Sequence, residues 1–278
     1  MSEKFAEING IRICYDIHGE GEPLILIHGF TSKKETFVAQ IPELLKYFKV
    51  IRLDNRGSGK SDRPNEAYSM DMFVDDVRGL MDYLELEKAN ILGYSLGGMI
   101  AQSFALKYPE RLNKLILLNT MSQLHVTEEA LEGYVQSRIK NYEEKLTDPE
   151  AAFFNSAPLA YSYKFINILK ADLKRKFHNA FSVEDLVKES TIDPATPQDI
   201  RNQVKSFLQF DVHDQLKNIQ NSTLIICGKF DKQTPKRLSI KMHEQIPNSK
   251  LVVIEAGHSA NKEKAPEINR AIIDFLKD

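Results

Sequence analysis

Short, uninterrupted apolar runs recur along the chain, separated by stretches with helical spacing. Pro23-Leu24-Ile25-Leu26-Ile27, Lys49-Val50-Ile51-Arg52-Leu53, Ala89-Asn90-Ile91-Leu92, Leu115-Ile116-Leu117-Leu118, Thr223-Leu224-Ile225-Ile226-Cys227 and Leu251-Val252-Val253-Ile254 have the length of strands. Strands read as continuous apolar runs when both of their faces are covered. Between the runs, Phe73, Val77, Leu80, Met81 and Leu84 recur at spacings that gather on one side of a helix. Ile268, Ile272, Phe275 and Leu276 do the same in the last segment, and Met99 to Ala105 reads as a further helix. Alternation of this kind predicts an α/β fold, a mostly parallel, doubly wound sheet of about eight strands with helices on both faces. The first two strands differ. Phe5-Ala6-Glu7-Ile8 and Ile11-Arg12-Ile13-Cys14-Tyr15 flank Asn9-Gly10, a dipeptide suited to a tight hairpin, so an antiparallel edge is expected.

The pattern changes over residues 121–205, which hold helix-like stretches and no strand and are punctuated by Pro149, Pro158, Pro194 and Pro197. A structureless loop of that length inside a compact domain would be exceptional, so a helical cap is expected at 121–205, inserted into a core of 1–120 and 206–278. Its aromatic residues could line a pocket, Phe153 and Tyr161 being the candidates for substrate contact. Two local signals predict helix starts in the core. Ser32-Lys33-Lys34-Glu35 fits a capping box before the helical stretch from Ile41 to Tyr47, and Thr234-Pro235 offers a capping hydroxyl followed by proline.

Charge narrows the function classes. The 278 residues carry 37 basic and 39 acidic side chains, a formal net charge of −2. No basic excess points to nucleic acid, and no apolar run approaches the roughly 18 to 20 residues that span a bilayer. Met1-Ser2-Glu3-Lys4-Phe5 has charges where a secretory signal needs apolar residues, so a cytoplasmic protein with no membrane partner is expected. Cys14 and Cys227 sit within strand-like runs as small reduced core residues, and two cysteines make no metal site.

In open α/β sheets, ligands bind beyond the carboxyl ends of the strands. His28, Asp54, Ser95, Asn119, Asp231 and His258 all follow such ends. Ser95 is the centre of Gly93-Tyr94-Ser95-Leu96-Gly97, between a strand and a helix. The two glycines let strand and helix approach closely, and the turn pushes the serine hydroxyl outward with the N–H of Leu96 beside it. A serine hydroxyl is hardly ionised at neutral pH and needs a base; an imidazole, ordinarily titrating near ~6.5, suits that task, and His258 can supply one. Gly59-Lys60-Ser61 invites a phosphate-loop reading, but that motif needs glycine at position 54, where the chain has Asp54, and Pro64 blocks the helix that should follow.

Taken together, the Gly93–Gly97 turn, His28-Gly29 after the third strand, the Asp54-to-Ser61 turn of the pattern D-x-R-G-x-G-x-S, and the chain order Ser95, Asp231, His258 resemble the α/β-hydrolase family. The resemblance implies a Ser95-His258-Asp231 triad and an oxyanion hole formed by the backbone N–H groups of Phe30 and Leu96. It gives His28 a structural role in shaping its loop. Some relatives carry the acid after the sixth strand, where this chain has Asn119, which cannot supply a charge. The implied reaction is hydrolysis of a small-molecule carboxylic ester or lactone through a Ser95 acyl-enzyme, without metal or organic cofactor. Carbon–carbon bond hydrolysis of vinylogous diketones uses the same triad and stays open, as does a slow-turnover ligand-binding protein of the same fold. The dehalogenase branch, which has aspartate at the elbow, does not match Ser95.

Overall fold

Each apolar run is a strand in the computed structural model, which describes residues 3–208 and 210–278. Met1 and Ser2, part of the opening stretch read above, lie outside the described residues. The strands are β1 (Lys4–Ile8), β2 (Ile11–His18), β3 (Glu22–Ile27), β4 (Phe48–Leu53), β5 (Ala89–Tyr94), β6 (Leu112–Leu118), β7 (Thr223–Gly228) and β8 (Ser249–Ile254). They form one sheet in the order β1-β2-β4-β3-β5-β6-β7-β8. β2 runs antiparallel to β1 and β4, and every other pairing is parallel. Asn9 and Gly10, at φ 52° and 77°, make the expected hairpin and pair Ile8 with Ile11. Asparagine and glycine tolerate positive φ, which is why this dipeptide turns here.

The helices are α1 (Ile41–Leu44), α2 (Met70–Tyr83), α3 (Leu96–Lys107), α4 (Glu128–Thr147), α5 (Pro149–Ala160), α6 (Tyr163–Ala171), α7 (Val183–Ser190), α8 (Pro197–Val204), α9 (Lys236–Gln245), α10 (Ala260–Glu263) and α11 (Ala265–Lys277). Because successive strand side chains point to opposite faces, the core divides in two. Leu24 and Leu26 of β3 join Leu92, Ile116 and Ile226 beneath Ile268, Ile272 and Phe275 of α11. Ile25 and Ile27 join Ile51, Ile91 and Leu117 beneath Phe73, Val77 and Leu80 of α2 and Phe104 of α3. Each such side chain, fully buried, contributes about 1.5 to 3 kcal/mol.

Five helices, α4 to α8, lie between β6 and β7. Their starts explain two of the four prolines read as punctuation, whereas Pro158 lies inside α5. Thr127, Asp148, Ser162, Ser182 and Thr196 each accept a backbone N–H from the first turn of the following helix, and Pro149 and Pro197 stand in the first turns of α5 and α8. A cap of this type is worth about 1 kcal/mol. Tyr161, Phe165, Leu169, Phe177 and Phe181 form a third apolar cluster, distinct from the two that flank the sheet.

Two predicted helix starts are corrected. Ser32 to Glu35 form no capping box: a short 3₁₀ turn, Lys34–Phe37, begins there without a side-chain cap. The carboxylate of Asp54 takes the Lys34 N–H at 2.8 Å and its ammonium at 3.1 Å, so a distant loop fixes this backbone instead of a local hydroxyl. Thr234 likewise caps nothing. α9 begins at Lys236, and the Thr234 hydroxyl donates to Asp231 at 2.6 Å.

Candidate active site

Ser95 follows β5 and precedes α3 with φ 56° and ψ −118°, a conformation that costs a non-glycine residue on the order of 1 to 3 kcal/mol. Close packing enforces it. A Cβ on Gly93 would overlap the carbonyl of Gly97, and one on Gly97 would overlap the carbonyl of Ile27 at the end of β3. The Ser95 N–H donates to the carbonyl of Leu118 at 3.0 Å, and its own carbonyl accepts the Thr120 hydroxyl at 2.7 Å. The strained residue is thereby tied to the end of β6. Its hydroxyl stands at the N-terminus of α3, where the helix dipole favours developing negative charge.

His258 lies two residues before α10, with Nε2 3.1 Å from the Ser95 hydroxyl and Nδ1 2.8 Å from Oδ2 of Asp231. Asp231 follows β7. Its Oδ1 accepts the N–H groups of Gln233 and Thr234 at 2.8 and 2.9 Å, and its Oδ2 accepts the Thr234 hydroxyl. With both oxygens facing donors, the imidazole carries its proton on Nδ1 and presents Nε2 as an acceptor to Ser95. His258 and Asp231 are buried, while Ser95 remains partly accessible. A hydroxyl so placed can pass its proton to the imidazole, and the carboxylate can stabilise the cation that results.

Two further residues hold the histidine loop; the sequence marked Asn119 as a strand-end residue without giving it a role, and did not mark Glu263. Asn119, after β6, donates to the carbonyls of Gly257 and His258 and accepts the N–H of Gly228 at 3.0 Å. Glu263, at the end of α10, accepts the N–H of Gly257 at 3.0 Å, the N–H of Ser162 at 3.0 Å and the Ser162 hydroxyl. The signal for Asn119 was its place at a strand end; for Glu263 it was only its nearness in sequence to His258.

The other strand-end residues do not join this group. His28 is fully buried; its Nε2 accepts the N–H of Asn55 at 3.0 Å and its Nδ1 lies 2.8 Å from the carbonyl of Gly29. Burial lowers its pKa, so it serves its loop as a neutral ring. Asp54 takes Lys34 and the N–H of Lys60, and the Lys34 charge holds its carboxyl low against the opposing effect of burial. Burial pushes the Cys14 thiol up to about 12, far from a reactive thiolate. Among the described residues, no three His, Cys, Asp or Glu side chains converge as a metal centre would require.

A cavity of about 360 Å³ opens on Ser95, walled by Phe30, Leu96, Met99, Leu131, Tyr134 and Leu159 among others. Phe30 is wedged between Tyr134 and Phe207, at ring separations of 5.8 and 5.2 Å. This fixes the backbone of the residue beside His28-Gly29. The N–H groups of Phe30 and Leu96 donate to no other described residue, and both residues face the cavity that holds Ser95. Phe153 and Tyr161 are not on its wall. They belong to the third apolar cluster, Tyr161 packing on Phe165 at 5.5 Å while its backbone abuts Gly257. Aromatic content alone did not tell which cavity such residues line, for Phe153 and Tyr161 line a different one. Ala130, Leu131, Tyr134 and Leu159 are the residues of the inserted helices that meet the cavity.

Comparison with known proteins agrees with this architecture. The sequence model of the alpha/beta hydrolase fold family matches residues 22–265. A 2-hydroxy-6-oxo-6-phenylhexa-2,4-dienoate hydrolase of Comamonas testosteroni is 29% identical over 289 residues, spanning 100% of this chain and 94% of the relative. A thermophilic esterase from Thermogutta terrifontis superposes with a TM-score of 0.82 at 27% identity, over 100% of this chain and 98% of the esterase. An enol-lactonase from Burkholderia xenovorans LB400 has a TM-score of 0.83 at 21% identity, over 99% and 100% of the two chains, a likeness of fold. No described helix is long and apolar enough to cross a membrane.

Proposed function

The chain belongs to the α/β-hydrolase fold family, and from that premise we propose that it is a serine hydrolase cleaving a small-molecule carboxylic ester or lactone through an acyl-enzyme on Ser95. The observation that carries this reading is the hydrogen-bonded relay from Ser95 to His258 to Asp231, opening on a largely apolar cavity. Ser95 Oγ attacks the carbonyl carbon as Nε2 of His258 takes its proton. The N–H groups of Phe30 and Leu96 receive the oxyanion, each such donor being worth about 10² to 10³ in rate. The tetrahedral carbon expels the alkoxide, which leaves as the alcohol with the proton from His258. Water then attacks the acyl carbon, His258 again taking and returning the proton, and the carboxylic acid and free serine result.

The helices at residues 121–205 act in this reading as a cap that selects the acyl group, while 1–120 and 206–278 hold the chemistry. Leu131, Tyr134 and Leu159 on the cavity wall support that division. A second reading, carbon–carbon bond hydrolysis, is favoured by the full-length likeness to the Comamonas hydrolase.

A fluorophosphonate probe tests the nucleophile. It is expected to label Ser95 alone, Ser95→Ala to lower kcat by roughly 10⁴ to 10⁶, and Asp231→Asn by about 10³ to 10⁴. Label on another residue, or none on folded protein, would overturn the assignment. A panel of esters, a lactone and a vinylogous diketone separates the two readings by which substrate gives the highest kcat/KM.

A further inference from the structure

We propose that a second cavity, adjoining the one at Ser95, is a subsite for a carboxylate carried by the substrate and held between Lys145 of α4 and Lys262 of α10. The proposal rests on the ester-hydrolase reading above and names the substrate class within it, a hemiester or lactone bearing a second, ionised carboxyl group.

This cavity, of about 210 Å³, lies between the inserted helices and the core. Thr31 lines it while Phe30 lines the Ser95 cavity, and Tyr161 lines it while Leu159 lines the other. The same two segments therefore separate both spaces. Arg138 links them: it donates to the Tyr134 hydroxyl and to Gln233, each at 2.8 Å and both on the Ser95 cavity, and its charge also reaches Lys145. Lys262 lies on α10, four residues beyond His258 in the chain. In this proposal a carbonyl at Ser95 and a carboxylate at Lys262 belong to one molecule.

Lys145 and Lys262 on this wall are paired with no carboxylate. Lys262 is nine-tenths buried, and its ammonium donates to the hydroxyl of Thr36 at 2.9 Å. No neighbouring charge offsets that burial, which lowers its pKa to about 8. Lys145 is half-buried; burial first, then the positive charges of Lys33 and Arg138, lower its pKa, and no carboxylate acts against them. The three acids on the same wall are engaged or exposed. Glu189 pairs with Lys33 at 2.6 Å, Glu35 pairs through Oε1 with Lys34 at 3.1 Å while its Oε2 is buried without a partner, and Asp193 is exposed. Burying ammonium groups without counter-charge is costly and marks a place where a ligand supplies the partner. Phe153 and Tyr161, absent from the Ser95 cavity, line this one and would flank the aliphatic chain.

The test compares two esters of equal acyl length, mono-p-nitrophenyl glutarate and p-nitrophenyl valerate, with the full chain. The ratio of their kcat/KM values is expected to fall about 10- to 100-fold in Lys262→Met and in Lys145→Met, the range for a lost hydrogen bond to a charged group. Lys145 is half-buried, so its variant keeps the question open to test where Lys262→Met fails to fold. A binding measurement needs no turnover: calorimetry should detect free glutarate binding to Ser95→Ala, and binding should weaken when Lys262→Met is added. Loss of glutarate binding without turnover of either ester would uphold the subsite and remove the hydrolase reading. Wild-type ratios in both folded variants, glutarate binding indifferent to Lys262→Met, or inorganic phosphate competing as strongly as glutarate would overturn the proposal.

Discussion

Ser95 and Lys262 both stand where stability alone would not put them. Ser95 is held at positive φ, and Lys262 keeps an ammonium in a site that depresses its pKa from 10.5 to about 8. The sign of the Lys262 effect follows from proton counting. Between pH 8 and 10.5 the unfolded chain binds more protons at this lysine than the folded one, so stability from this group rises with pH across that window. Below pH 8 the full penalty applies, roughly 3 kcal/mol at about 1.36 kcal/mol per pKa unit. Lys262→Met should therefore unfold at a higher temperature than the wild type at pH 7, and the gap should close as pH approaches 10.5. A constant gap across that range in paired melting curves would show that the lysine is not the cause. At this scale the sequence was read unevenly. Ser95, Asp231 and His258 were legible because strand ends mark them. Asn119, Glu263 and Lys262 were not assigned roles because their partners, Gly257, Ser162 and Thr36, lie more than a hundred residues away in the chain.

Elements were easier to read than the joints between them. The inner strands β3, β5, β6 and β7 follow from continuous apolar runs, since burial on both faces leaves few other patterns, and the prolines at 149 and 197 mark helix starts that the structure contains. The joints failed where a long-range contact displaced a local one, as when Asp54 took the backbone of Lys34 and Asp231 took Thr234. Glu263 is such a joint between elements. It ties the start of α6, through Ser162, to the loop that carries His258, through Gly257. Glu263→Ala would leave those buried donors without a partner at about 1 to 3 kcal/mol for each group left unsatisfied. The melting temperature should fall and fluorophosphonate should label Ser95 several-fold more slowly, with Glu263→Gln recovering part of both because one acceptor remains. An unchanged labelling rate in folded Glu263→Ala would mean that the tie supports the inserted helices without positioning the histidine.

For the molecule as a whole, strand order brings together residues far apart in the chain. β5, β6, β7 and β8 are consecutive neighbours, so Ser95, Asn119, Asp231 and His258 emerge along one edge although 163 residues separate the first from the last. The inserted helices then close the space above that edge. Which of their faces does so was not legible, because an aromatic stripe looks alike whether it packs on other helices or on a ligand, and Phe153 and Tyr161 turned out to lie beside the Ser95 cavity instead of in it. The structure moves the test of selectivity to Leu131, a buried α4 side chain on the Ser95 cavity wall. Leu131→Ala enlarges the cavity by roughly three carbon atoms without touching the relay. The optimum acyl length in a series of p-nitrophenyl esters should then lengthen by about one to three carbons, each methylene being worth about 1 kcal/mol or somewhat more in a fitted apolar pocket. Ser95 should still be labelled by fluorophosphonate at close to the wild-type rate, since the probe reports the relay and the oxyanion site. A uniform loss over all acyl lengths, accompanied by slower labelling, would instead mean that the inserted helices hold the active site together and leave selection to the core.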